Sequence, residues 1–155
     1  MRGTERIPRL MVAAPSSGSG KTTLTCGLLR AAQRRGLAPC AFKCGPDYID
    51  PMFHRSILGV PSRNLDLFFS SEEEVRSRLV SAAQGSGLAV LEGVMGFYDG
   101  LGNTDRASSW RMAQATRTPV LLTVRPQGTA LTLAALVKGV QTFRTPSQIA
   151  GVLLN

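Results

Sequence analysis

The chain has 155 residues, 43% apolar and 18% charged, with 18 lysines and arginines against 10 acidic residues and a net charge of +8. That length and composition suit one ordinary globular domain and exclude a disordered chain. Three cysteines, Cys26, Cys40 and Cys44, exclude a fully paired disulfide framework, and the arginines are scattered, so the charge fits a small polyanionic ligand or a solvated surface and no nucleic-acid partner is expected.

The N-terminal stretch with Arg2, Arg6 and Arg9 lacks the apolar run of a signal peptide, and no segment reaches membrane-spanning length. A cytoplasmic protein with reduced thiols and no membrane partner is expected. Cys40 and Cys44 are four apart but lack a second ligand pair, so a metal site there is not expected. Leu10 to Ala14 is short and apolar enough for a buried strand. Beyond the turn Pro15-Ser16-Ser17-Gly18-Ser19-Gly20-Lys21-Thr22-Thr23, residues Leu24, Leu28, Leu29 and Ala32 recur at helical spacing. Strand, glycine-rich turn and helix form the setting of a phosphate loop: backbone N–H groups and the positive helix end converge on phosphate oxygens. Lys21 would then neutralise the β- and γ-phosphates, and the Thr22 hydroxyl would face Mg²⁺. The full pattern G-x-x-x-x-G-K-[ST] is not met, because Pro15 stands at its first position.

Arg34-Arg35-Gly36 reads as a helix end, and Ala38 to Lys43 as the second strand. Lys43 to His54 holds two prolines, a lysine, two aspartates, a tyrosine and a histidine, and is expected to be a loop at a strand's carboxyl end, where open α/β sheets bind ligands. Pro51 to Leu58 suits a short helix N-capped by Asp50, while the lone His54 reads as a partly exposed structural residue. Ser62 to Phe69 is a mixed segment ending in apolar residues. Ser70 or Ser71 then opens a helix whose Glu72, Glu73 and Glu74 suit capping better than metal binding.

Leu88 to Leu91 is a buried strand running into Glu92-Gly93-Val94-Met95-Gly96-Phe97-Tyr98-Asp99-Gly100. A carboxylate at that strand tip, facing a phosphate loop, is placed to hold Mg²⁺, and the flanking glycines admit a close ligand. A helix over Ala107 to Ala115, a strand over Val120 to Val124, a helix over Thr129 to Phe143 and a last strand from Ile149 to Leu154 complete the chain before Asn155. Five β units separated by helices predict an α/β fold with a doubly wound, mainly parallel sheet.

Four stretches, Ser16 to Thr23, Lys43 to His54, Ser62 to Asp66 and Glu92 to Gly100, together resemble the N-terminal synthetase domain of the cobyrinic acid a,c-diamide synthase family. These amidoligases are similar to dethiobiotin synthetase in their phosphate loop and P-loop NTPase topology. The resemblance implies that ATP phosphorylates the a and c carboxylates of a corrinoid tetrapyrrole, and that ammonia derived from glutamine displaces phosphate. It implies Lys21, Lys43, Asp47 and Asp50 as catalytic residues. Thr22, Asp47 and Glu92 become Mg²⁺ ligands, and Ser17, Gly18, Ser19, Gly20, Lys21, Thr22, Thr23 and Asn155 the ATP contacts, with Asn155 toward adenine. Tyr48, His54, Gly93 and Tyr98 fall to the corrinoid.

Family members continue into a longer synthetase domain and a glutaminase domain with a nucleophilic cysteine, so residues 1–155 are expected to form a C-terminally truncated synthetase domain that depends on ammonia made elsewhere. A homodimer is compatible with that reading. Hydrogenobyrinate or a nickel sirohydrochlorin is an alternative substrate. A partitioning-type nucleotide switch is a rival class, but such switches carry a second lysine where this chain has Ser16.

Overall fold

A computed structural model describes residues 7–155. Strands β1 (Arg9–Ala13), β2 (Pro39–Cys44), β3 (Ser62–Leu65), β4 (Leu88–Glu92), β5 (Val120–Val124) and β6 (Ile149–Leu154) form one sheet in the order β3-β2-β4-β1-β5-β6. Every neighbouring pair is parallel. Helices α1 (Lys21–Arg34), α2 (Ile49–Ser56), α3 (Glu72–Ala83), α4 (Ser109–Thr116) and α5 (Leu131–Thr142) alternate with the strands.

The central strands are apolar on both sides because helices cover both faces. Met11, Ala13, Phe42, Ala89, Leu91 and Leu122 join Val75 and Leu79 of α3 and Trp110 and Met112 of α4 in one core cluster. Val12, Ala41 and Val90, one residue out of phase, meet Leu29 of α1 and Val60 in the other. Period-two alternation along β1, β2 and β4 thus divides each strand between two cores.

The first half of the mixed segment after α2, Ser62–Leu65, is a sixth strand that the five expected β units did not include. β3 is an edge strand of four residues, in which Ser62 and Leu65 are buried while Arg63 is exposed, so it carries no apolar run to announce it. Helix α2 also begins earlier than expected. Asp47, rather than Asp50, meets its first N–H groups, with Oδ1 accepting from Ile49 N at 2.9 Å and Asp50 N at 3.4 Å. Asp50 lies inside the first turn, where Pro51 is tolerated because those N–H groups have no helical partner.

At α3 the expected cap is present. The Ser71 hydroxyl accepts from Glu74 N at 3.2 Å, and the Glu74 carboxylate accepts from Ser71 N at 2.7 Å. Those bonds hold the Glu74 carboxyl below its usual pKa. Register then builds the functional edge: Val12 and Lys43 both lie opposite Glu92, and Asn64 lies opposite Lys43, so four strand ends form one row.

Candidate functional site

The turn from β1 to α1 is a phosphate-loop cradle. Gly18 (φ +72°) and Gly20 (φ +81°) are both left-handed, a conformation that costs a side-chain-bearing residue about 1–2 kcal/mol. A Cβ on Gly20 would collide with the Asn155 side-chain amide. The buried Ser19 hydroxyl donates to the Ser16 carbonyl at 3.0 Å, tightening the turn, while Ser17, Thr22 and Thr23 are exposed. No side chain caps α1, so its leading N–H groups, next to the loop, have no side-chain acceptor, as an anion-binding helix start requires. Lys21 Nζ donates to the carbonyls of Ser16 at 3.2 Å and Met95 at 2.7 Å. Burial, with Lys43 nearby, lowers its pKa.

Across from the loop, the fully buried Glu92 ends β4. Its Oε1 accepts from Thr22 Oγ1 at 2.5 Å and Lys43 Nζ at 2.9 Å. Lys43 Nζ also lies 2.6 Å from Asp50 Oδ2 and 3.6 Å from Asp47 Oδ2. One ammonium therefore joins three carboxylates. Burial works against the Lys43 charge, yet Glu92 and Asp50 outweigh it and raise its pKa. Burial likewise opposes the Asp50 carboxylate, but Lys43 holds it below its ordinary value. At Glu92 burial wins, and its pKa is raised in spite of Lys43 and Thr22.

Asp47 is fixed through its backbone, because Asn64 Nδ2 donates to the carbonyls of Asp47 at 2.5 Å and Gly45 at 2.9 Å. Asn64 thereby ties the edge strand to the acidic loop. Lys21, Thr22, Lys43, Asp47, Asp50 and Glu92 thus converge on the carboxyl edge of the sheet. Asn155 reaches the phosphate loop as well, its side chain donating to the Ser19 carbonyl at 3.2 Å.

The other expected substrate contacts are placed differently. His54 is fully buried, with Nδ1 3.1 Å from Ser62 Oγ. Tyr98 turns into an aromatic group with Phe97, Trp110 and Phe143, and its hydroxyl donates to the Val140 carbonyl at 2.7 Å. Gly93 serves close packing: a Cβ there would lie 2.6 Å from Ser109 Oγ and 3.2 Å from the Val12 carbonyl. Cys40 and Cys44 are buried in β2, and burial pushes the Cys44 thiol up to about 12, far from a metal-binding thiolate at neutral pH.

Beside Asp47 opens a cleft of about 680 Å³. Its walls follow three strands: Tyr48 and Ile49, at the start of α2, after β2, Phe68 and Phe69 after β3, and Met95 and Leu101 after β4. Tyr48 is 81%, Ile49 73% and Phe69 74% exposed, a concentration of apolar surface normally found where a ligand or partner binds. The Asp66 carboxylate, accepting from Phe68 N at 2.8 Å, shapes the second wall. The pair Phe68-Phe69 carried no motif, and its only signal in sequence was two adjacent aromatics outside any helix or strand.

The residues present fit Mg²⁺. That ion takes one or two protein carboxylates and completes its shell with water and phosphate oxygens. The Glu92 carboxylate, with the Thr22 hydroxyl meeting it at Oε1, supplies one such carboxylate and a hydroxyl beside the phosphate loop. Among the described residues no group of three His, Cys, Asp or Glu side chains forms an all-protein metal cage, which Mg²⁺ does not require.

Known proteins are similar to this chain in sequence or in fold. The cobyrinate a,c-diamide synthase of Clostridium acetobutylicum is 44% identical over 147 residues, spanning 94% of this chain and 33% of that protein. The hydrogenobyrinate a,c-diamide synthase of Streptomyces coelicolor is 45% identical over 150 residues, spanning 96% of this chain and 31% of that protein. This chain therefore spans about a third of the length of these curated relatives. Solved structures with the same fold include the signal recognition particle receptor FtsY from Elizabethkingia anophelis, at TM-score 0.65 and 17% identity over 98% of this chain and 51% of that one. The kinase domain of the Escherichia coli tyrosine kinase ETK aligns at TM-score 0.61 and 15% identity, over 96% of this chain and 67% of that one. Residues 10–155 match the family described as CbiA, the CobQ/CobB/MinD/ParA nucleotide binding domain, and with its phosphate loop on this sheet the chain belongs to that family.

Proposed function

We propose that this chain is the nucleotide- and substrate-binding part of an ATP-dependent amidoligase that converts the a and c side-chain carboxylates of a corrinoid to amides. One observation carries the reading: the Lys43 ammonium stands between Glu92, which meets Thr22 of the phosphate loop, and Asp47, which borders the apolar cleft. A phosphate site and a site for a large apolar ring thus share one charged border.

Amidation needs that border. A carboxylate is a poor electrophile, so one of its oxygens attacks the γ-phosphorus of ATP and ADP departs. Ammonia then attacks the acyl carbon of the resulting acyl phosphate, the C–O bond breaks, phosphate leaves with the electron pair, and the nitrogen loses a proton. In this reading Lys43 draws the substrate carboxylate and the γ-phosphate together, and Lys21 moves from its carbonyl partners to the phosphates. Such positioning and charge stabilisation are the main contributions a protein makes to phosphoryl transfer. Thr22, Glu92 and Asp47 would hold Mg²⁺, which neutralises phosphate charge when bound. Asp50 keeps Lys43 charged and oriented. Tyr48, Ile49, Phe68 and Phe69 would contact the ring face, whether cobyrinate or its metal-free counterpart, the substrates named by the two relatives. Ser16, where switch ATPases of this fold carry lysine, favours the ligase over the switch.

The test supplies the chain with ATP, MgCl₂, hydroxylamine and either cobyrinate or hydrogenobyrinate, and measures ADP and the hydroxamate. Ring-dependent ADP release with hydroxamate formation, lost in Lys43→Met, is the expected result. ATP binding without any effect of the ring on ADP release, and without ring binding in equilibrium dialysis, would overturn it.

A further inference from the structure

Among the described residues, three buried side-chain polar atoms lack a hydrogen-bond partner: Thr25 Oγ1, His54 Nε2 and Glu92 Oε2. Two of them face each other. His54 Nε2 lies 4.0 Å from Glu92 Oε2, and both side chains are 0% exposed. Leaving a buried polar atom unpaired costs about 1–3 kcal/mol, so two such atoms side by side point to a bond that a small carboxylate movement completes.

The surroundings suit one tautomer of His54. Glu92 Oε1 already accepts from Thr22 and Lys43, leaving Oε2 as the free oxygen. On the other side of the ring Nδ1 meets Ser62 Oγ at 3.1 Å, a hydroxyl that can donate. With Ser62 donating to Nδ1, the ring carries its proton on Nε2, toward Glu92.

We propose that His54 is a positioning residue for Glu92: Ser62 fixes the imidazole through Nδ1, and Nε2–H takes Glu92 Oε2, so that Oε1 is the oxygen presented to Thr22 and the phosphate loop. The proposal rests on the reading of Glu92 as a metal ligand. Partners that orient a ligating carboxylate are worth ten- to a hundredfold in metal affinity. Edge strand β3 thereby supports a ligand two strands away, through Ser62, His54 and Glu92.

The experiment measures Mn²⁺ binding by electron paramagnetic resonance, using the full chain with a non-hydrolysable ATP analogue, and analogue binding without metal. His54→Leu keeps bulk and removes both nitrogens, His54→Gln restores an N–H donor, and Ser62→Ala frees the ring; thermal melts confirm that each variant folds. His54→Leu should weaken Mn²⁺ binding about ten- to a hundredfold with metal-free analogue binding unchanged. His54→Gln should regain most of that loss, and Ser62→Ala should fall between. Equal losses in the Leu and Gln variants, or wild-type Mn²⁺ affinity in His54→Leu, overturn the proposal. Should wild type bind the analogue but no Mn²⁺, the metal reading of Glu92 fails, and the positioning role with it; should wild type bind Mn²⁺ and His54→Leu match it, only the positioning role fails.

Discussion

Replacing Lys43 with methionine removes the single ammonium from among Asp47, Asp50 and Glu92 while keeping an unbranched side chain of similar reach. Breaking a buried ion pair by deleting one partner costs about 3–5 kcal/mol when the other charge stays ionised. Glu92 has a cheaper escape, which is to take up a proton. For a carboxyl of ordinary pKa 4.5, neutralisation at pH 7 costs about 3.4 kcal/mol, at ~1.36 kcal/mol per pH step. Burial already raises the Glu92 pKa, so that figure is the most the substitution should cost through Glu92 at pH 7, and the same reckoning gives about 0.7 kcal/mol at pH 5. The sign follows from linkage: the folded variant binds a proton at Glu92 that the unfolded chain releases, so its stability falls as pH rises through the folded pKa. Urea unfolding followed by circular dichroism at both pH values measures the gap. Adding Glu92→Gln to Lys43→Met should restore most of the loss at pH 7 and abolish its pH dependence. An equal deficit at pH 5 and pH 7, or none at pH 7, would refute the argument that these charges are coupled in a low-dielectric site.

Gly20→Ala places a side chain on a residue at φ +81° and against Asn155, so a loss of about 1–2 kcal/mol in urea and weaker nucleotide binding are expected; an unchanged urea midpoint contradicts the cradle geometry. Tyr98→Phe should cost about 0.5–1.5 kcal/mol for the lost bond to Val140, with corrinoid affinity unchanged in equilibrium dialysis. Glu74→Ala should lower the melting temperature at pH 7. Because the folded Glu74 pKa lies below its ordinary 4.5, the wild-type advantage is fully present above that value and disappears as pH falls through the folded pKa. A melting difference that persists at pH 2.5 would mean the capping carboxylate is not its source.

The alternation of apolar strands with helical patterns made the architecture readable before any coordinates, because strands covered on both faces are written as short apolar runs. β3 escaped that logic, since a four-residue edge strand buries only Ser62 and Leu65. The Gly20-Lys21-Thr22 turn and the strand-end Glu92 also stood out, because backbone conformation and strand position act through neighbouring residues. The cleft did not. Tyr48, Phe68 and Met95 lie on three separate loops, and only sheet order brings those loops together. The commitments of His54 and Tyr98 were equally hidden: imidazole and phenol chemistry suits a ligand, yet the buried His54 meets Ser62 and the half-buried Tyr98 bonds Val140.

Lys21 is bonded to the carbonyl of Met95, a residue at φ +45° that also lines the cleft. On the proposed reading, a polyphosphate that captured this ammonium would take it from Met95 and so remove a tie on one wall of the neighbouring chamber. Any such coupling would run both ways, because linkage makes the effect of each ligand on the other's affinity equal. Two occupants that never touch would then sense each other through one shared tether.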